Sequence, residues 1–296
     1  MLSDLHDNFP SATGAADESA VHEEARLLDS VSPDVALAAA KRLAGRNGSR
    51  VVSESSLAAE MAIARRVQSH LFPHCMPPLQ TLDYAANCEE ASAIGGDYYD
   101  FLDIGRGRVG LLLADVSGKG ISAALLMASL QASLRSQRAL APADLAAFFR
   151  TVNRLFCESV TEGFYATLFF VDYSDARRSL RYVNCGHHPA ILIHADGWDE
   201  MLGSTATVLG FSDKWDCVVG HAEMSPGDIL VMYSDGVTEA QNPSGEFFGE
   251  ERLIRAVRAN SKKPAADILR VVADSVRQFG GDVQEDDLTL VVARAR

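Results

Sequence analysis

Hydrophobic positions along the chain follow two different periods. Between Ser53 and Phe72, in SESSLAAEMAIARRVQSHLF, the positions Leu57, Met61, Ala64, Val67, Gln68 and Leu71 recur at three- and four-residue steps. That spacing predicts a helix with Arg65 and Arg66 off its packed face and Pro73 at its end. An Ala/Leu-rich run from Val35 to Leu43 also reads as helical, broken by GRNGS at residues 45–49. After Pro78 the pattern changes to short apolar runs between turn residues. TLDYAANCEE, DYYDFLDI and RVGLLLADVSG read as three consecutive strands. GISAALLMASLQASLRSQ and PADLAAFFRTVNRLFCESV then read as helices, rich in Ala and Leu. FYATLFFVDY, SLRYVNC and HHPAILIHADG form a hairpin-rich antiparallel run with Ser174 and Asp175 in its first turn. VVGHAEMS and DILVMYSDG add two strands around a Pro226–Gly227 turn, helices follow over Gly249–Arg258 and Pro264–Phe279, and DLTLVVARAR closes the chain as a strand. Strands grouped with strands and helices with helices predict an α+β fold, with helices layered on antiparallel sheets rather than a βαβ repeat.

Composition narrows the function classes. Of 296 residues 47% are hydrophobic and 23% charged, enough to build a sizeable core without disulfide or metal staples. The net charge of −13 argues against nucleic-acid binding, which calls for a basic face. The first 34 residues hold eight acidic side chains and one basic one, Arg26. This divides the chain into an acidic, partly disordered or helical region over 1–52, a linker helix over 53–78 and a main domain over 79–296. The five cysteines (Cys75, Cys88, Cys157, Cys185, Cys217) have no C-x-x-C pair and read as reduced thiols. The N-terminus lacks the basic and apolar regions of a signal peptide, and no stretch approaches 18 apolar residues, so the expectation is a cytoplasmic protein.

Acidic residues stand at the ends of apolar strands, far apart in sequence. Asp97 follows two glycines in GGDYYD, Asp115 ends a buried run in LLLADVSGKG, Asp235 ends another in LVMYSDG, and Asp286 and Asp287 precede the last strand. A carboxylate at the end of an apolar strand is costly to desolvate unless a cation compensates it, and hard divalent ions prefer oxygen ligands. Taken singly, a D-G is a turn signal and a D-D pair a solvated loop. Together the four sites make a candidate metal centre.

In order from Ala64 to Arg294, the segments ARRVQSHLFP, GGDYYDF, ADVSGKGISAALLMA, NCGHHPAILI, SPGDILVMYSDGVTEA, FGEERL and DDLTLVVAR resemble the metal-dependent phosphatases of the protein phosphatase 2C superfamily. Within it, the resemblance is to the bacterial branch typified by the sporulation stage II E phosphatase and the stress-sigma-factor regulators. The resemblance implies an α-β-β-α sandwich of two antiparallel sheets flanked by helices, with 79–296 as the phosphatase domain. It implies two Mn²⁺ or Mg²⁺ ions in a cleft at one edge. Asp115 would bridge them, Asp97 and the backbone carbonyl of Val116 would complete one site, and Asp235 and Asp286 the other. Asp287 and Glu239 are secondary candidates, acting through water. The implied reaction is hydrolysis of phosphoserine or phosphothreonine on a partner protein by metal-activated water, with no covalent phosphoenzyme.

One motif departs from the eukaryotic branch, where a histidine follows the bridging aspartate. Here the stretch is Asp115-Val116-Ser117, so the leaving group must be protonated from elsewhere; His187 and His188 read as turn or packing residues before catalytic ones. GKG at residues 118–120 is no phosphate loop, because Leu113 stands where the required glycine would be and no Ser or Thr follows Lys119. His70 and His74 have the spacing of a helical zinc pair but are separated by Pro73. The resemblance also implies a phosphorylated anti-sigma-factor antagonist, a sulfate-transporter/antisigma-antagonist (STAS) domain, as substrate. It further implies homodimerisation through the N-terminal helices or an activating protein that orders a switch helix over Ile121–Arg135. Two rival readings are a non-catalytic scaffold that binds phosphoproteins and an aspartyl-nucleophile phosphohydrolase. The latter wants a D-x-D pair that Ser234-Asp235-Gly236-Val237 does not supply.

Overall fold

The computed structural model describes residues 54–296 apart from 142, 162, 282 and 283. The acidic region and the run over Val35–Leu43 lie outside the described residues. Of the two units into which the chain divides, the one over Ala58–Arg296 holds both sheets and the candidate site.

Ten strands build two five-stranded sheets in which every pairing is antiparallel. In chain order they are β1 (Leu82–Glu89), β2 (Tyr98–Asp103), β3 (Arg108–Val116), β4 (Ala166–Ser174), β5 (Ser179–Cys185), β6 (Ala190–Ile193), β7 (Asp199–Leu202), β8 (Gly220–Glu223), β9 (Ile229–Tyr233) and β10 (Leu288–Ala295). One sheet has the order β1-β10-β9-β6-β7 and the other β2-β3-β4-β5-β8. The helices are α1 (Glu54–Ser69), α2 (Ile121–Gln137), α3 (Leu145–Cys157), the single turn α4 (Asp235–Thr238), α5 (Gly249–Ala259) and α6 (Ala265–Gly280).

The continuous apolar strands are explained by burial on both faces. On β3, Val109, Leu111 and Leu113 enter the core between the sheets, while Leu112, Ala114 and Val116 enter a second core beneath α2 and α3. On β10, Val291, Ala293 and Ala295 face the other sheet, while Leu288, Leu290 and Val292 pack in a third core with residues of α5 and α6. The layers are therefore helix, sheet, sheet, helix. Helix α3 buries Leu145, Phe148, Phe149, Val152 and Phe156, its i, i+3, i+4 face, and is capped by Asp144, which accepts from the Ala147 N–H at 2.9 Å. Phe148 and Phe149 meet edge to face at 4.8 Å, and Phe149 meets Phe170 of β4 at 5.3 Å.

Two expectations need correcting, and one strand was not foreseen. The helix read up to Pro73 stops at Ser69. A proline disfavours helical backbone at the residue before it, and the chain leaves the helix through tighter turns from Val67 and Gln68 to His70 and Leu71. Its packed line is narrower than predicted: Met61, Ala64 and Leu71 are partly buried and Gln68 fully, whereas Leu57 and Val67 are exposed. Strand β7 had no sequence signal, because in Asp199-Glu200-Met201-Leu202 only Leu202 is buried. All five cysteines are free, and no described helix is long and apolar enough to cross a membrane.

Candidate active site

The antiparallel pairing brings the acidic strand ends together. β2 begins where β3 ends, so Asp97 and Asp115 share one end of the first sheet. β9 ends where β10 begins, so Asp235 shares one end of the second sheet with Asp286 and Asp287. Asp115 continues the Val109, Leu111, Leu113 series on the inner face of its sheet, so its carboxylate points between the sheets at their open edge.

The local fold fixes each carboxylate. The Thr289 hydroxyl, buried on the inner face of β10, donates to Asp97 Oδ2 at 2.5 Å and ties the first sheet's aspartate to the second sheet. Ser234 Oγ donates to the Asp287 carbonyl at 3.0 Å and accepts from the Thr289 N–H at 3.0 Å, locking the turn that carries Asp235 onto the start of β10. Asp287 accepts from the Ala91 N–H at 2.8 Å, and Lys119 Nζ donates to Asp286 Oδ2 at 2.8 Å and to the Glu285 carbonyl at 3.1 Å. Two glycines allow this approach. A Cβ on Gly236 would lie 2.2 Å from the Asp287 carbonyl, and one on Gly96 would lie 2.7 Å from the Val116 carbonyl and 3.6 Å from Asp115 Oδ1. The Val116 carbonyl and Asp115 Oδ1 thus both lie against Gly96, the residue before Asp97.

The electrostatics are those of crowded anions. Burial, then the charges of Asp235, Asp286 and Asp287, push the Asp115 carboxyl up to about 7, with Lys119 opposing. Asp97, buried beside Asp115 and Asp287, is also raised well above the usual carboxylate range, against the hydrogen bonds from Thr289 and Ser234. Carboxylates held together against their repulsion want a cation, and an all-oxygen donor set with a backbone carbonyl suits a hard divalent ion. The residues therefore fit such ions chemically. As they stand, no three His, Cys, Asp or Glu side chains among the described residues are arranged to enclose one. Asp286, Asp287 and Asp97 are turned to Lys119, Ala91 and Thr289 respectively.

His187 has no free proton to offer a leaving group, since its one ring hydrogen is committed to a backbone carbonyl. Its ring is buried, with Nε2 3.1 Å from the Tyr233 carbonyl and Nδ1 2.7 Å from Thr167 Oγ1. A carbonyl only accepts, so Nε2 carries the hydrogen and Nδ1 accepts from the threonine. Burial, with His188 nearby, lowers its pKa to about 3. The ring thus links β4, at the residue paired with Asp115, to the end of β9, two residues before Asp235. Its role is to brace the site, in line with the packing reading. Ser117, in the place of the missing histidine, accepts from the Tyr165 N–H at 2.9 Å. His70 and His74 each bond a backbone carbonyl one turn back.

Sequence reasoning missed three contributors. Thr289 was readable as a polar residue on the inner face of an apolar strand. Gln68 was placed on the packed face of its helix, but its amide clamps Gly95, donating to the carbonyl at 2.7 Å and accepting from the N–H at 3.2 Å. Lys119 was weighed only as part of a phosphate loop. Beside the carboxylates a groove of about 380 Å³ runs past Asp235, Glu239, Asn242, Phe247 and Arg277.

Comparison with known proteins agrees with this architecture. The model of the stage II sporulation protein E (SpoIIE) family matches residues 105–296. Protein IcfG of Synechocystis is 27% identical over 78% of this chain, which spans 41% of that protein. The phosphoserine phosphatase RsbU of Bacillus subtilis is 27% identical over 82% of this chain and is spanned to 72%. The solved SiaA-PP2C domain of Pseudomonas aeruginosa superposes with a TM-score of 0.71 at 17% identity, covering 83% of this chain and 99% of that domain. The chain belongs to the SpoIIE family and has the fold of a protein phosphatase 2C-like sandwich.

Proposed function

We propose that the chain is a divalent-metal-dependent phosphatase that hydrolyses phosphoserine or phosphothreonine on a partner protein. One observation supports this above the rest: carboxylates from both sheets converge at one edge of the sandwich, and burial, then the charges of neighbouring carboxylates, drives Asp97 and Asp115 towards protonation. Asp115 would be shared between two ions, with Asp97 and the Val116 carbonyl on one side and Asp235 and Asp286 on the other. Asp287, engaged by Ala91, and the exposed Glu239 would act through water. Mn²⁺ or Mg²⁺, when bound, would lower the pKa of water towards neutrality and offset charge on the phosphoryl oxygens.

The chain's own residues supply the rest. Thr289 and Ser234 hold Asp97 and Asp235 in register across the sheets, and His187 keeps the end of β9 against β4. The groove past Asp235 gives room for the residues flanking the phosphorylated side chain. Cys88 and Cys185 give no thiolate nucleophile, since burial raises both far above the usual thiol range. Similarity to the phosphoserine phosphatase RsbU supports the phosphoserine reading, and the motif resemblance implies a place in sigma-factor regulation, with a phosphorylated STAS-domain antagonist as substrate. An activating protein, or homodimerisation through the N-terminal helices, would act on α2, the expected switch helix. A location in the cytoplasm goes with that role.

The reading is tested with protein stripped by EDTA and assayed on para-nitrophenyl phosphate. Mn²⁺ or Mg²⁺ restores turnover, Asp115→Asn does not respond, and acid quenching traps no phosphoaspartate. Turnover that persists in EDTA, or a trapped acyl phosphate, contradicts it. A folded protein that binds phosphoprotein without turnover under any metal favours the scaffold instead.

A further inference from the structure

Two recesses flank the carboxylates. One is the groove of about 380 Å³, and the other a pocket of about 30 Å³ walled by Gly95, Gly96, Asp115 and Asp287. Lys119, Glu285 and Asp286 line both, so Lys119 is the one cation on the ridge between them among the described residues. Arg277, the other cation in the groove, is committed elsewhere: it holds both oxygens of Glu89 at 2.9 Å and Asp274 at 2.5 Å. Lys119 is held far more loosely. Its side chain is 68% exposed, its Asp286 partner 46% exposed, and two of its three ammonium hydrogens are engaged. An exposed ion pair of this kind contributes little to stability, so its position needs another explanation.

Charge supplies one. Two divalent ions bring four positive charges to five carboxylates, which leaves the centre short of what a phosphate dianion requires. One further cation at the mouth balances the centre before the substrate arrives. We propose that Lys119 is the phosphoryl-binding cation of this site, its ammonium moving from Asp286 onto the phosphoryl oxygens of the bound phosphoserine or phosphothreonine. The proposal rests on the metal-phosphatase reading. No bond is made or broken by Lys119; it binds and orients the transferred group as a mobile point charge.

The test is calorimetry of Mn²⁺, then of orthophosphate in the presence of Mn²⁺, on wild type, Lys119→Gln and Lys119→Arg, with steady-state kinetics on a phosphoprotein. Losing one charge-assisted contact weakens orthophosphate binding and raises KM about tenfold in Lys119→Gln, and Lys119→Arg recovers most of it. The Mn²⁺ isotherm of Lys119→Gln, measured without phosphate, keeps its strength or tightens, because a competitor for Asp286 is gone. Wild-type orthophosphate affinity and KM in Lys119→Gln overturn the proposal while leaving the phosphatase reading intact. So does a loss of Mn²⁺ affinity that accounts for the phosphate effect. A wild-type protein that takes up no Mn²⁺ overturns the reading itself, and the proposal with it.

Discussion

Asp115 sits where burial and three neighbouring carboxylates all disfavour its charge, and its carboxyl rises to about 7. The folded protein then keeps a proton that the unfolded chain releases near the ordinary aspartate value of 3.8. Without metal, this residue's contribution to stability is greatest below pH 4 and is lost as pH rises towards 7. Asp115→Asn removes the conflict. Its stability advantage over wild type in EDTA grows between pH 5 and 8, reaching about 2–4 kcal/mol in urea unfolding. An advantage that shrinks over that range contradicts the assignment. His187 behaves in the opposite sense. Its pKa is lowered to about 3, so the stabilisation from its neutral ring is complete above the ordinary value of 6.5 and is lost as pH falls towards 3. His187→Ala strands the Tyr233 carbonyl and the Thr167 hydroxyl and costs about 2–4 kcal/mol at pH 8. The same comparison at pH 5 gives a smaller cost; an equal or larger one shows that the ring is not held neutral.

Elements deliver these residues with different degrees of legibility. β3, β4, β9 and β10 were readable because each is buried on both faces and appears as an unbroken apolar run. The acidic strand ends were readable for the same reason, as charges abutting such runs. That they meet was not readable from the runs alone, since pairing of β1 with β10 and closure of the sandwich join residues some 200 positions apart. The resemblance to a known family supplied that juxtaposition. β7 was missed because three of its four residues face solvent or the rim. The role of Gln68 was missed because a polar side chain on a helix face gives no hint that its partner is a loop 27 residues on. That clamp ties α1 to the loop carrying Asp97, while Gln131 of α2 donates to the Leu71 carbonyl at 3.2 Å. Arg135 of α2 also pairs with the fully buried Asp100 at 2.7 Å, so α1, α2 and the Asp97 loop form one connected unit. Gln68→Ala leaves the Gly95 amide and carbonyl unpaired, costs about 1–3 kcal/mol, and loosens residues 91–97. Faster amide exchange in that segment, with weaker Mn²⁺ binding, is the expected result. Unchanged exchange there would mean the clamp is ornamental to the site.

At the scale of the molecule, the sandwich has two chemically different ends. Away from the carboxylates, Arg108 and Arg181 neutralise the buried Asp172 with bidentate ion pairs, and charge is satisfied within the protein. At the open edge, among the described residues, five aspartates converge and only Asp286 is paired with a cation, Lys119, so the balance is left for something the chain binds. This asymmetry is what the proposed metal-dependent hydrolysis needs. The most direct test is phosphate release from a phosphoserine-bearing STAS-domain protein, followed against Mn²⁺ concentration, with Mn²⁺ binding measured by calorimetry on the same samples of wild type and Asp115→Asn. The account predicts saturable, EDTA-sensitive release by wild type at the concentrations where Mn²⁺ binds. It predicts loss of both release and the tightest binding in a folded Asp115→Asn. Release that is indifferent to Mn²⁺, or Mn²⁺ binding untouched by the substitution, would contradict it.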